Sequence, residues 1–173
     1  MENLYLFFVL ALGFLAIADL IVGVSNDAVN FLSSAIGSKA VSFKKIMIIA
    51  SFGIALGAIF SSGMMEVARK GIFNPELYYF DEIMIIFLAV MITDILLLDF
   101  FNTLGLPTST TVSIVFELLG AAVSIAAYKI WENSQSINEL INYINYSKAT
   151  QIILGIILSC LLYTSDAADE LSR

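Results

Sequence analysis

Long apolar runs along the chain predict membrane-spanning helices. A bilayer core of about 30 Å requires about 20 mostly apolar residues in helical conformation. Four runs approach that length, at residues 4–23, 46–65, 83–101 and 113–130, whereas a fifth run, 149–159, is too short to span. We therefore expect an all-α, polytopic transmembrane helix bundle.

The connections between these runs contain turn-forming and small residues. The segment from Gly71 to Glu82, with Asn74 and Pro75, predicts a surface turn, and the polar residues 133–148 predict a loop or a short surface helix. Gly53, Gly57 and Ser61 recur at every fourth position, a spacing that lets a neighbouring helix approach closely.

Composition excludes several classes of function. The chain has 173 residues, 60% hydrophobic and 13% charged, with a mean hydropathy of +0.93. A soluble domain has about 45–50% apolar and about 25% charged residues. The net charge is −7 and the basic residues are scattered, so nucleic acid is not expected as a partner. With no histidine and one cysteine, we expect neither a structural zinc site nor an enzyme with a common catalytic triad.

The first unusual polar segment is Gly-Val-Ser-Asn-Asp-Ala-Val-Asn at 23–30. On a helix, Asn26, Asp27 and Asn30 share one face, which Ser33, Ser34 and Gly37 continue. Such a stripe must face protein or a water-filled cavity, and an ionisable group within a membrane segment predicts a functional site. The alternative is a packed helix contact in which the amides form interhelical hydrogen bonds.

The second polar segment, residues 102–113, interrupts the apolar runs at Gly105 and Pro107. A new helix is predicted to start at Pro107, because proline is favoured in a first helical turn. Its free amides, with the hydroxyls of five neighbouring residues, would form an anion site without a formal positive charge. These residues are Thr108, Ser109, Thr110, Thr111 and Ser113. Alternatively, the hydroxyls cap the helix or bond to its own carbonyls.

Together the two segments predict cation-coupled uptake of an anion. Asn and Asp oxygens suit Na⁺, and hydroxyls and helix amides suit a small oxyanion. Asp27 would repel that oxyanion by several kcal/mol at an effective dielectric near 20. A cation between them, or a proton on Asp27, removes the repulsion.

These same residues resemble the inorganic phosphate transporter (PiT) family. Residues 23–30 and Ala-Ile-Gly-Ser-Lys-Ala at 35–40 are similar to its first signature, and Leu-Pro-Thr-Ser-Thr-Thr-Val-Ser-Ile-Val at 106–115 is similar to its hairpin. The resemblance implies a re-entrant helical hairpin in one half of an inverted-repeat transporter of the plasma (inner) membrane. It also implies phosphate symport with Na⁺ or H⁺ and no other cofactor. The implied phosphate ligands are Asp27, Asn30, Ser109, Thr110 and Thr111, and the implied cation ligands are Asn26, Asp27, Asn30 and Thr108, with Na⁺ on the first three.

The sequence departs from the family pattern in two ways. Val112 stands where many members have histidine, so a proton relay there is not expected. One Asn-Asp motif is present, whereas each half of the family's fold contributes one. Residues 1–159 would thus be the N-terminal repeat alone, and we expect no transport without the missing C-terminal half.

The end of the chain changes character at Cys160. Residues 160–170 resemble the translation of a transposase sequencing adapter, so 160–173 is predicted to be a non-native tail. A polar cytoplasmic C-terminus is the alternative.

Several questions stay open at this level. Asp19, Asp94, Asp99 and Glu117 lie at apparent membrane depth and match no motif; Asp99 is nearest the hairpin and is favoured for a coupling role. A sulfate or other oxyanion permease and a non-transporting membrane interaction protein are the alternative functions. A homodimer is compatible with the sequence.

Overall fold

The computed structural model describes residues 2–61, 71–106 and 108–171, with side chains for all of these except 2, 3, 29, 30 and 162–171. The predicted all-α class is confirmed, and within the described residues the one β feature is an isolated bridge between Phe73 and Ile144. The helices, in chain order, are α1 (Glu2–Ser38), α2 (Phe43–Ile59), α3 (Phe80–Leu104), α4 (Thr110–Glu132), α5 (Leu140–Tyr143) and α6 (Tyr146–Leu171). Short 3₁₀ helices lie at Pro75–Leu77 and Ile137–Glu139. The second of these, together with α5, confirms the prediction of short helical structure within 133–148.

Three of the described helices are long and apolar enough to cross a membrane: Leu4–Ala28 within α1, Phe80–Leu104 and Thr110–Glu132. These correspond to three of the four predicted spans. The fourth prediction, residues 46–65, begins within α2, but its end lies outside the described residues, so that span stays a prediction. The apolar part of α6, Tyr146–Leu161, is shorter than these spans.

Helix α1 continues through the first polar segment without interruption. At 1.5 Å per residue its 37 residues extend about 55 Å, well beyond the bilayer core of about 30 Å. Asn26 and Asp27 therefore lie at the C-terminal end of the apolar span, on the same rigid helix that crosses the membrane.

The core lies between α3 and α4. The segment that precedes α3 contributes Ile72, Phe73 and Tyr78 to it. α1 packs along α3 and also contacts α4, though less extensively. Ala122 and Ala126 of α4 are fully buried, and their small side chains let α3 and α4 approach closely. The buried cluster comprises Ile72, Phe73, Tyr78, Ile86, Val90, Leu118, Ala122 and Ala126.

The predicted surface turn before α3 is wrong in its first part, because Ile72 and Phe73 are each 1% exposed. Their apolar side chains enter the core, and the Tyr78 hydroxyl donates to the Ala122 carbonyl at 3.0 Å. Burial, together with the nearby Tyr143 and Glu82, raises the pKa of Tyr78. The hydroxyl therefore remains a donor at physiological pH.

A half-buried ion pair holds the start of α3 against the end of α4. Lys129 Nζ lies 2.8 Å from a Glu82 carboxylate oxygen and donates to the Leu77 carbonyl at 2.9 Å. The same carboxylate oxygen accepts from the backbone N–H of Tyr79, which caps α3.

The close helix contact predicted at Gly53, Gly57 and Ser61 is not found among the described residues. A Cβ built at Gly53 or Gly57 would meet nothing within 4 Å, and Ser61 is exposed. The spacing of small residues permits close packing, but among the described helices the main contact of α2 is with α1, and this contact is small.

The predicted break between α3 and α4 is present, but α4 begins at Thr110 rather than at Pro107. Pro107 itself lies outside the described residues. Ser109 provides the N-cap, since its hydroxyl accepts from the Val112 N–H at 3.4 Å. Gly105 ends α3 in the left-handed conformation, at φ 66°.

The predicted boundary between 1–159 and a non-native tail at 160–173 has no counterpart in the backbone. Helix α6 runs from Tyr146 to Leu171 without a break. The origin of the tail therefore stays a prediction.

Candidate functional site

The two polar segments meet where α1 passes the beginning of α4. The Thr110 hydroxyl lies 3.3 Å from one Asp27 carboxylate oxygen and 3.4 Å from the other, so it donates to this carboxylate. These residues are 83 positions apart in the chain, and both are half-buried. The structure thus brings together one side chain from each predicted motif.

Asn26, the neighbour of Asp27, faces α3 instead. Its Nδ2 donates to Asn102 Oδ1 at 2.9 Å, and the side chain is 2% exposed. Its Oδ1 is buried and has no hydrogen-bond partner. Because a buried amide oxygen without a partner costs about 1–3 kcal/mol, this atom needs an explanation.

Asn102 is a residue of this site for which the sequence predicts no role. It lies in the last turn of α3, and its backbone carbonyl accepts from the Gly105 N–H at 3.1 Å. The one feature of the sequence that could have indicated a role for Asn102 is its position. It is an amide side chain at the end of an apolar run, three residues before Gly105. That feature does not identify Asn26 as the partner.

The remaining predicted ligands differ in their exposure. Ser109 is exposed, and its hydroxyl accepts at the N-cap of α4. Its role as a phosphate ligand stays a prediction. Thr111 is exposed, and Thr108 is half-buried. Asn30 lies on the helical backbone of α1, but its side chain lies outside the described residues.

Ser113 does not belong with the anion-binding hydroxyls, contrary to the prediction. It is buried, and its hydroxyl lies 2.9 Å from an Asp94 oxygen and 2.7 Å from a Glu117 oxygen. It lies one helical turn further into α4 than Ser109, where α4 packs against α3. It therefore contacts two of the acidic residues whose partners could not be predicted.

Those acids form a second polar cluster within the helix bundle. Asp19 of α1 interacts with both Asp94 and Glu117, and Asp94 is 2% exposed. Asp99, which the sequence analysis favoured for a coupling role, is exposed and does not take part in these contacts. No group of three or more His, Cys, Asp or Glu side chains among the described residues has the geometry of a metal site.

The charge balance at the first site favours a cation. Among the described residues the one ion pair is between Lys129 and Glu82, so no basic side chain there neutralises Asp27. Asp27 and Asn26 carry hard oxygen atoms, which is the ligand type that Na⁺ prefers. An anion at Thr110 would lie close to an unneutralised carboxylate unless a cation were bound with it.

Comparison with known proteins gives a consistent result. A protein of Thermococcus kodakarensis named as a phosphate permease is 31% identical over 141 residues, covering 80% of this chain and 31% of that protein. The sodium-dependent phosphate transporter of Plasmodium falciparum is 35% identical over 118 residues, covering 65% of the chain and 18% of that protein. A phosphate permease of Helicobacter pylori is 35% identical over 104 residues, covering 59% of the chain and 20% of that protein.

The chain thus matches a third or less of the length of these relatives, and no solved structure matches it significantly. A sequence model of the phosphate transporter family matches residues 23–167, which include both polar segments. The chain belongs to the phosphate transporter family.

Proposed function

We propose that this chain contributes to secondary active transport of inorganic phosphate across the plasma membrane, by symport with a cation. The observation that carries the proposal is the contact between Asp27 and Thr110. A carboxylate able to bind a cation adjoins a hydroxyl able to bind an oxyanion, at the end of a membrane span.

Sodium is the better candidate for the coupling ion. The buried Oδ1 of Asn26 can coordinate Na⁺, whereas an amide oxygen does not take up a proton near neutral pH. The name of the Plasmodium relative, a sodium-dependent transporter, agrees with this choice. Val112 offers no proton relay at the hairpin.

The chain alone is proposed to be one repeat of a two-repeat transporter and to be inactive by itself. Its matched segment covers 31% of the Thermococcus permease, and the sequence contains one Asn-Asp motif. A second repeat would supply the remaining phosphate and cation ligands and would enclose the site.

Labelled phosphate uptake into vesicles tests these points. The chain is expressed alone or with the part of the Thermococcus permease beyond the matched segment, and a tag on one part establishes that the two co-purify. We expect no uptake by the chain alone and Na⁺-dependent uptake by the pair, with little competition from sulfate. Hereafter this co-purified pair is called the paired chain.

Each expected result of the uptake experiment can be contradicted by a specific outcome. Uptake by the chain alone would show that the site is complete. Uptake by the paired chain that persists without Na⁺ and pH gradients would exclude cation coupling. Equal competition by sulfate would favour a general oxyanion permease, and failure of every phosphate measurement with intact assembly would favour an interaction protein.

A further inference from the structure

Asn102 links α1 to the turn that begins the hairpin. Its side-chain Oδ1 accepts from Asn26 Nδ2 at 2.9 Å, and its backbone carbonyl accepts from the Gly105 N–H at 3.1 Å. Gly105 holds the left-handed conformation that ends α3. One residue therefore contacts both the first polar segment and the start of the second.

The hydrogen bond from Asn26 to Asn102 determines how the Asn26 amide is oriented. With Asn102 Oδ1 turned toward α1, as observed, turning the Asn26 amide by 180° would place its oxygen against that acceptor, and two acceptors repel each other. The observed orientation leaves Asn26 Oδ1 buried and without a partner. A buried carbonyl oxygen of this kind, on the residue that precedes Asp27 in α1, has the chemistry of a cation ligand.

We propose that Asn102 is a positioning residue, which holds the Asn26 amide so that its Oδ1 is available to the coupling cation. The inference rests on the proposed sodium symport, but it concerns a residue outside both predicted ligand sets. Asn102 acts through Asn26 and need not contact the cation or phosphate. On this proposal, the side chain at position 102 must provide a hydrogen-bond acceptor for Asn26 Nδ2, but it need not provide a donor.

This requirement gives a set of matched variants. Asn102→Leu keeps the approximate size and removes the acceptor, whereas Asn102→Asp keeps the acceptor. Asn102→Ala removes the acceptor without adding a branched side chain, and it gives a second test if the Leu variant accumulates poorly. Thr103→Val is the control, since Thr103 is the exposed neighbour on α3.

The measurement is the NaCl concentration that gives half-maximal phosphate uptake by the paired chain, with choline chloride keeping the ionic strength constant. For Asn102→Leu and Asn102→Ala we expect this concentration to rise about three- to tenfold, the effect of losing one neutral hydrogen bond. Maximal uptake at saturating Na⁺ should be retained. Asn102→Asp and Thr103→Val should require no more Na⁺ than the wild type.

The outcomes separate this inference from the proposed function. Wild-type uptake that does not depend on Na⁺ would overturn the sodium symport and the inference with it. Sodium-dependent wild-type uptake, with an unchanged half-saturating concentration in the Leu and Ala variants, would overturn the inference alone. So would a fall in maximal uptake with unchanged sodium dependence, because a merely structural role produces that result.

Discussion

Neutralising Asp27 should strengthen phosphate binding in the absence of sodium. Thr110 Oγ1 lies 3.3 Å from the nearer Asp27 oxygen. If the hydroxyl turns to a phosphate oxygen at about 2.7 Å, that oxygen lies within about 6 Å of the carboxylate. At an effective dielectric near 20, the repulsion per unit charge is then about 3 kcal/mol.

Asp27→Asn removes this repulsion while keeping the size of the side chain and an oxygen that accepts from Thr110. A change of 3 kcal/mol corresponds to about a 100-fold change in affinity. Because Asp27 is half-buried, solvent screening reduces this effect for each unit of phosphate charge. Without sodium, the variant should therefore bind phosphate more tightly than the wild type, and its affinity should depend little on sodium.

Equilibrium binding of labelled phosphate to the purified paired chain, in NaCl and in choline chloride, measures both effects. Asp99→Asn is the matched control, because it makes the same charge change at an exposed position of α3. Weaker phosphate binding by Asp27→Asn in choline chloride would refute the electrostatic reasoning. So would wild-type sodium dependence in that variant.

Three further changes test the fold through the free energy of unfolding in detergent. Ser113→Ala leaves the buried Asp94 short of a partner and should destabilise by about 1–3 kcal/mol; an unchanged value would mean that water replaces the hydroxyl. Gly105→Ala should cost about 1 kcal/mol from its positive φ alone, because nothing lies within 4 Å of the added Cβ; no loss would contradict the left-handed turn. Lys129→Met should cost about 1–3 kcal/mol, between the values for exposed and buried pairs, and Glu82→Gln should restore most of this loss in the double variant if the unpaired carboxylate is the cause.

The membrane spans were predictable because every helix that crosses the bilayer core requires about 20 mostly apolar residues. The continuation of α1 through Asn26 and Asp27 was implied by their helical spacing. The burial of Ile72 and Phe73 was not predictable, because Asn74 and Pro75 beside them indicate a turn, whereas packing beneath α4 depends on residues far along the chain.

The candidate site was likewise predictable only in part. The chemistry of the two motifs predicted that Asp27 and Thr110 would lie close together, and they do. The partners of Asn26 and Asp19 depended on the register between α1 and α3. These two residues lie about two helical turns apart on one face of α1, and their partners Asn102 and Asp94 have a similar spacing on α3. Sequence alone gives the faces, but it does not give the register.

The break at Gly105 is a geometric requirement of the site. Asn26 and Asp27 are consecutive, so they are separated by about 1.5 Å along α1 and by about 100° around it. Their partners, Asn102 and Thr110, would be about 12 Å apart along the axis if α3 continued as one straight helix. Thr110 reaches Asp27 only because the chain turns at Gly105 and a new helix starts after Ser109. A continuous helix could satisfy Asn26 or Asp27, but it could not satisfy both.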